Sequence, residues 1–365
     1  MTGAPRTIRI GARRSPLARA QAELVAARLE ALGHPTRYVP IVTHGDTDRR
    51  ELTQIGGTGV FTSAVRDALL AGEVDVGVHS LKDLPTAPAD GLRLAAVLER
   101  EDTRDVLVGL RLDDLRDGTT LGTGAPRRAV QLHDLAGRRD AAVRVLPVRG
   151  NVDTRIGLIL QGRVDAVVLA AAGLRRLGRL PSGELPADGV VEVAGLPAQL
   201  LGHDVMLPAP GQGAIGCEIA ERLDPALAQA IGRLDHPLTR IETTAERAFL
   251  RELEAGCTAP VGVRATVTGP TTYPRGDEPT DGGGDLVKSV RDTTADLTLR
   301  AVVGKTIGDT FDEPTEGSPS TQRDPAWPST TPELINTEVI RIEGHGSSSA
   351  AADVGRRLAR LALSQ

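Results

Sequence analysis

The chain carries almost no lysine: Lys82, Lys288 and Lys305 stand against forty arginines in 365 residues. Cysteine is nearly missing as well. Cys217 and Cys257 alone cannot build a disulfide framework or a Cys-rich metal site. No CxxC, HExxH or His/Cys cluster occurs, so no metal is expected. Aromatic residues make up 2%, which leaves Val, Leu, Ile and Ala to fill the core. No apolar run is long enough to span a membrane, and the opening MTGAPRTIRIGARRSP lacks a signal peptide's apolar stretch. A cytoplasmic protein without membrane contact is the expectation. A net charge of −5 argues against a dedicated nucleic-acid binder, which needs a basic face.

What is present fits an α/β protein of two or three domains. TIRIGA reads as a strand, followed by a helix with Ser15 as N-cap, Pro16 in its first turn and Gly33 after its end. TRYVPIVT and VDVGVHS read as further strands, with the Gly loop GGTG (56–59) feeding a helix between them. GGTG is neither GxGxxG nor a phosphate loop with its lysine, so a nucleotide site is not expected. The stretch LLAGEVDVGV (69–78) recurs as ILQGRVDAVV (159–168), a helix end, a glycine, then Val-Asp and a buried strand. This repeat predicts two related α/β domains around a cleft. Where the first copy continues with Leu81-Lys82-Asp83, the second has Ala171-Ala172-Gly173, so the scaffold does not itself require the charged pair.

Residues 1–98 with 210–232 are expected to form the first domain and 103–205 the second. Residues 237–365 are expected to form a small α+β third domain, with flexible insertions near 270–285 and 311–333 where Pro, Gly, Thr and acid dominate.

Arginines gather at strand-to-helix turns: Arg13 and Arg14, Arg127 and Arg128 in GTGAPRR, Arg149 and Arg155 in VRGNVDTR, Arg175 and Arg176 in AGLRR. Strand ends face the ligand cleft of open α/β folds, and helix N-termini favour anions. Any one of these arginines is as well read as a solvated surface residue. The recurrence at four turns points to a ligand bearing several carboxylates or phosphates.

Taken together, IGARRSPLARAQA, VHSLKDLPT, EREDTRDVLV, RRAVQL, RGNVDTR, LAAAGLRRLG, PAPGQGAIGCE and TAERAFLRELEAGCTAPVG closely resemble the porphobilinogen deaminase (hydroxymethylbilane synthase) family, in order and across roughly residues 7–265. The resemblance implies two duplicated domains like type II periplasmic binding proteins, plus a small α+β C-terminal domain. It implies a transferase that joins four porphobilinogen molecules head to tail, releasing ammonia, to give hydroxymethylbilane. The chain would grow on a dipyrromethane cofactor held by a thioether to Cys257. Asp83 would be the catalytic carboxylate and also touch the cofactor, together with Lys82, Thr123, Arg127, Arg128 and Arg149. Arg13, Ser15, Arg149, Arg155, Arg176 and Gln212 would bind substrate. The family likeness also implies a monomer.

Several positions depart from that pattern. Gln54 and Thr58 replace lysines, His44 replaces an arginine, Gly124-Ala125 replaces two hydroxyl residues, and Asp153 replaces a glycine. These changes thin the positive charge over the cleft and remove hydroxyl donors. The competing reading is a non-catalytic two-lobed binder of a polycarboxylate, which would need neither a reachable thiol nor a carboxylate among its arginines.

Overall fold

Alternation of apolar and small residues sets the first strand, β1 (Ile8–Arg13), with Ile8, Ile10 and Ala12 fully buried. The helix α1 (Pro16–Ala31) begins as its sequence dictates: Ser15 Oγ accepts from the Ala18 N–H, and Pro16 occupies the first turn. β2 (Thr36–Ile41), α2 (Ser63–Leu70), β3 (Val76–Ser80) and β4 (Leu92–Val97) follow. The chain then crosses to a second sheet through β5 (Asp105–Val108), β6 (Thr120–Thr123), α3 (Pro126–Gly137), β7 (Arg144–Pro147), α4 (Val152–Leu160), β8 (Ala166–Ala170), α5 (Ala171–Arg176), β9 (Val190–Val193) and β10 (Leu196–Leu201). It returns to the first lobe with β11 (Ile215–Ala220) and α6 (Pro225–Gly232). This computed structural model describes residues 6–42, 62–181, 183–254, 259–268, 295–305 and 338–364.

The first sheet has the order β2-β1-β3-β11-β4 and the second β7-β6-β8-β5-β10-β9. In each lobe one antiparallel strand comes from chain that has just crossed over: β5 pairs with β8, and β11 with β3. Two crossings therefore join the lobes, and the cleft opens between them. This is a two-lobed α/β architecture.

The internal repeat has the same geometry in both lobes. Gly72 and Gly162 turn the chain at φ 72° and 67°, a conformation a side chain would strain. Val74 and Val164 are both buried. Asp75 then accepts from the Arg9 N–H of β1, and Asp165 accepts from the Thr120 N–H of β6. In each case the aspartate ties the incoming strand to the parallel neighbour it pairs with in its own sheet. Leu70 and Leu160, also matched in the repeat, are exposed and add nothing to either core.

A third sheet, β12 (Val261–Thr268), β13 (Asp296–Lys305) and β14 (Glu338–Ser347), is antiparallel in that order. It packs on α7 (Pro237–Glu252) and α8 (Ala351–Leu363) around Phe249, the one fully buried aromatic among the described residues. Two of its glycines, Gly262 and Gly304, sit against Leu207 and Val130 so closely that a β-carbon would meet them at 2.9 Å. The sheet is thereby docked on α3 of the second lobe. Both sequence segments expected to be flexible insertions lie outside the described residues.

Candidate active site

β3 is buried through its first four residues and ends in a single 3₁₀ turn, Leu81–Asp83. Leu81 is the anchor: fully buried, with its N–H donated to the Ala214 carbonyl at 3.0 Å. On the far side, Arg247 of α7 donates to the carbonyls of Leu84 at 2.8 Å and Pro85 at 2.7 Å. The turn is clamped at both ends, and between the clamps it presents Lys82 half-buried and Asp83 exposed to the cleft. At the matching place in the second lobe, β8 runs straight into the short helix α5.

Opposite this turn, the start of α3 holds a buried ionic cluster. Asp105, the first residue of β5, is fully buried. Arg127 donates to both of its carboxylate oxygens at 2.7 and 3.2 Å, and Arg128 donates to one at 2.8 Å. Burial alone would raise the Asp105 pKa, but the two guanidinium groups override it and hold the carboxyl well below the usual range. Arg127 spends its remaining capacity on the Leu207 carbonyl and on Gln212 Oε1, and Arg128 also donates to the Val168 carbonyl. Arg128 Nε is buried with no hydrogen-bond partner.

Gln212, expected to bind substrate, lies fully buried on the second crossing. Its Nε2 donates to Asp105 and to the Thr103 carbonyl, both at 2.8 Å. Thr123 is buried as well, and its Oγ1 accepts from the Ala125 N–H at 3.2 Å, closing the turn into α3. Gly124 belongs to that turn: a β-carbon there would meet the Val148 carbonyl oxygen at 2.6 Å, so a hydroxyl residue does not fit this backbone.

The remaining predicted cations surround the same space. Arg155 is pushed down to about 10, first by burial, then by Arg128 and Arg149, with Asp83 opposing. Arg128, Arg149 and Asp83 therefore all lie close enough to act on Arg155. Burial likewise pushes Arg176 down to about 10 against the pull of Glu101, and its Nη2 donates to the Gly213 carbonyl. Lys82 is pushed down to about 8 by burial, and Arg128 and Arg127 add to the fall while Asp83 resists it. Arg13 and Ser15 line the cleft with Asp83 from the first lobe. Arg175 pairs with Glu101 at 2.8 Å instead.

Of the departures, Asp153 pairs with Arg179 at 2.9 Å on an exposed edge of α4. His44, Gln54, Thr58 and Cys257 lie outside the described residues, Cys257 falling between α7 and β12. Three contributors escaped sequence reasoning: Asp105, Arg247 and Gln21. Asp105 had a legible signal, an acid at the head of the apolar strand DVLV, since a buried carboxylate demands a cationic partner. Arg247 and Gln21 sit on helix faces whose neighbours no spacing rule reveals.

Comparison with known proteins identifies the family. Residues 8–228 match the sequence model described as porphobilinogen deaminase, dipyromethane cofactor binding domain, and residues 240–273 match that of the porphobilinogen deaminase C-terminal domain. Porphobilinogen deaminase 1 of Streptomyces coelicolor is 48% identical over 310 residues, covering 84% of this chain and 86% of its own. Porphobilinogen deaminase of Thermobifida fusca is 51% identical over 263 residues, 70% of this chain and 76% of its own. Among solved structures, a periplasmic substrate-binding protein from Coxiella burnetii aligns over 64% of this chain and 94% of its own, at 14% identity and a TM-score of 0.38. The ordered motifs of the cleft and the length of these matches lead to one conclusion: the chain belongs to the porphobilinogen deaminase family.

Proposed function

We propose that this protein condenses four porphobilinogen molecules head to tail, releasing ammonia at each step, and frees linear hydroxymethylbilane by hydrolysis. The observation that carries the reading is one carboxylate, Asp83, held on a clamped turn before a cleft where buried and half-buried cations outnumber anions. Such a site binds polycarboxylates and still keeps an anion where positive charge develops.

The cation excess suits the dipyrromethane cofactor, each ring of which bears two carboxylates. Arg128, with a buried Nε lacking a partner, together with Arg149, Arg155 and Lys82, would hold those groups. When bound through Cys257, the cofactor supplies the terminal pyrrole carbon at which the chain is extended.

Asp83 accepts the pyrrole N–H of the substrate and stabilises the cation that develops as ammonia departs. It also assists proton transfer at the aminomethyl nitrogen and at the carbon that loses its proton when the new C–C bond closes. Arg13, Ser15 and Arg176 orient the incoming carboxylates. Arg127 and Gln212 act one layer back, keeping Arg128 in place through Asp105. Thr123 shapes the turn that leads into α3. No helix among the described residues is long and apolar enough to cross a membrane. A monomer working in the cytoplasm completes the proposal.

Intact mass tests the reading. The purified protein is expected to carry a dipyrromethane adduct that is lost in Cys257→Ser, and Asp83→Asn is expected to retain the adduct while losing nearly all turnover. An unmodified folded protein, or an Asp83→Asn variant with wild-type rate, would sink it.

A further inference from the structure

The inner face of α1 carries one polar side chain among Ala22, Val25 and Leu29. Gln21 is 3% exposed, and its Nε2 is buried with no hydrogen-bond partner. Buried amide groups are nearly always paired, because an unpaired one keeps the full penalty of losing water. An orphan of this kind is tolerated in a folded protein where it meets its partner only in a complex.

The surroundings say which complex. Gln21 lines the same cleft as Asp83, Arg13 and Ser15, about one and a half helical turns beyond the N-cap. Leu17 and Ala18, which share this wall, offer no side-chain donor. An amide Nε2 can only donate. Porphobilinogen presents donors at its ring nitrogen and its protonated aminomethyl group, so its acceptors are the carboxylate oxygens.

We infer that Gln21 binds the incoming substrate by donating an Nε2 hydrogen bond to one of its carboxylates; the assignment rests on the function proposed above. It follows that Gln21 works against stability in the free enzyme and is rewarded only when substrate arrives. Substrate recognition on the first lobe then has three donors of different kinds: the guanidinium of Arg13, the hydroxyl of Ser15 and this amide.

Gln21→Leu and Gln21→Met fill the same volume without the donor. Both are expected to melt at or above the wild-type temperature, with KM for porphobilinogen raised about tenfold and kcat changed far less, as expected for losing a hydrogen bond to a charged group. Gln21→Glu, which sets a like charge against the carboxylate, is expected to raise KM further. An unchanged KM in the Leu and Met variants overturns the assignment, as does a Gln21→Glu enzyme with lowered KM. A melting temperature several degrees below wild type also overturns it, since that marks a side chain bonded within the fold. Wild-type enzyme that makes no hydroxymethylbilane would remove the proposed function itself; a working wild type with unaltered variants removes only the role of Gln21.

Discussion

Lys82 is a cation in a place that resists one. Burial lowers its pKa to about 8, Arg128 and Arg127 lower it too, and Asp83 and Asp105 pull the other way. The unfolded chain holds the same proton up to the ordinary 10.5. Between about 8 and 10.5 the unfolded state therefore binds more protons, and this group's contribution to stability rises with pH across that window. Carboxylates entering the cleft reverse the balance by favouring the ammonium form. Substrate binding at about pH 9 is thus expected to take up protons, and binding at about pH 6 to take up none at this site. Calorimetry in buffers of different ionisation enthalpy reads the difference, and Lys82→Met should abolish it. Uptake that survives the substitution would assign it to another group. The lysine itself was legible as an anomaly in an arginine-rich chain. That its charge is strained was not, because the strain comes first from burial and then from Arg128 and Arg127, more than forty positions away in sequence.

At the scale of single elements, the start of α3 shows how a correct motif can carry an incomplete role. A Gly-rich turn entering a helix with two arginines reads as an anion site, and the anion is there: it is Asp105 of the protein's own β5. The pair of buried guanidinium groups has this one carboxylate partner among the described residues. Asp105→Asn keeps the shape and removes the charge. It is expected to destabilise the protein by about 3–5 kcal/mol, the usual cost of leaving buried charges unpaired. Denaturant unfolding checks this, and a loss below about 1 kcal/mol would mean that water or relaxation replaces the carboxylate. The repeated helix-Gly-Val-Asp-strand unit, by contrast, was legible as a pattern, because its turning glycine and buried valine are local signals. The bond from each aspartate to a strand 66 or 45 positions away was not.

Across the whole molecule, the three units meet at Glu246 of α7. This fully buried carboxylate accepts from both terminal nitrogens of Arg100 at 2.8 Å, from the Gly211 N–H at 2.7 Å and from the Ala265 N–H at 2.9 Å. Arg100 stands on one crossing between the lobes, Gly211 on the other, and Ala265 in the third sheet. Glu246→Gln is therefore expected to uncouple the units, so that a single calorimetric transition broadens or splits and its onset falls by several degrees. One sharp, unshifted transition would show that the coupling runs elsewhere, through Arg247 or the packing of α3.

By itself the sequence determined the α/β class, the repeat, the helix starts at Ser15 and at Arg127-Arg128, and the candidate catalytic Lys82-Asp83 turn. Each of these depends on residues close together in the chain, where spacing and residue chemistry suffice. Only the tertiary structure decided how the cations divide their work. Arg127 is absorbed into a buried cluster, Gln212 braces it, Arg247 clamps the Lys82-Asp83 turn, and Gln21 is left with an unanswered donor. Those outcomes depend on which charges and amides are brought together from distant segments and sealed from water, and burial is what turns such encounters into strong preferences.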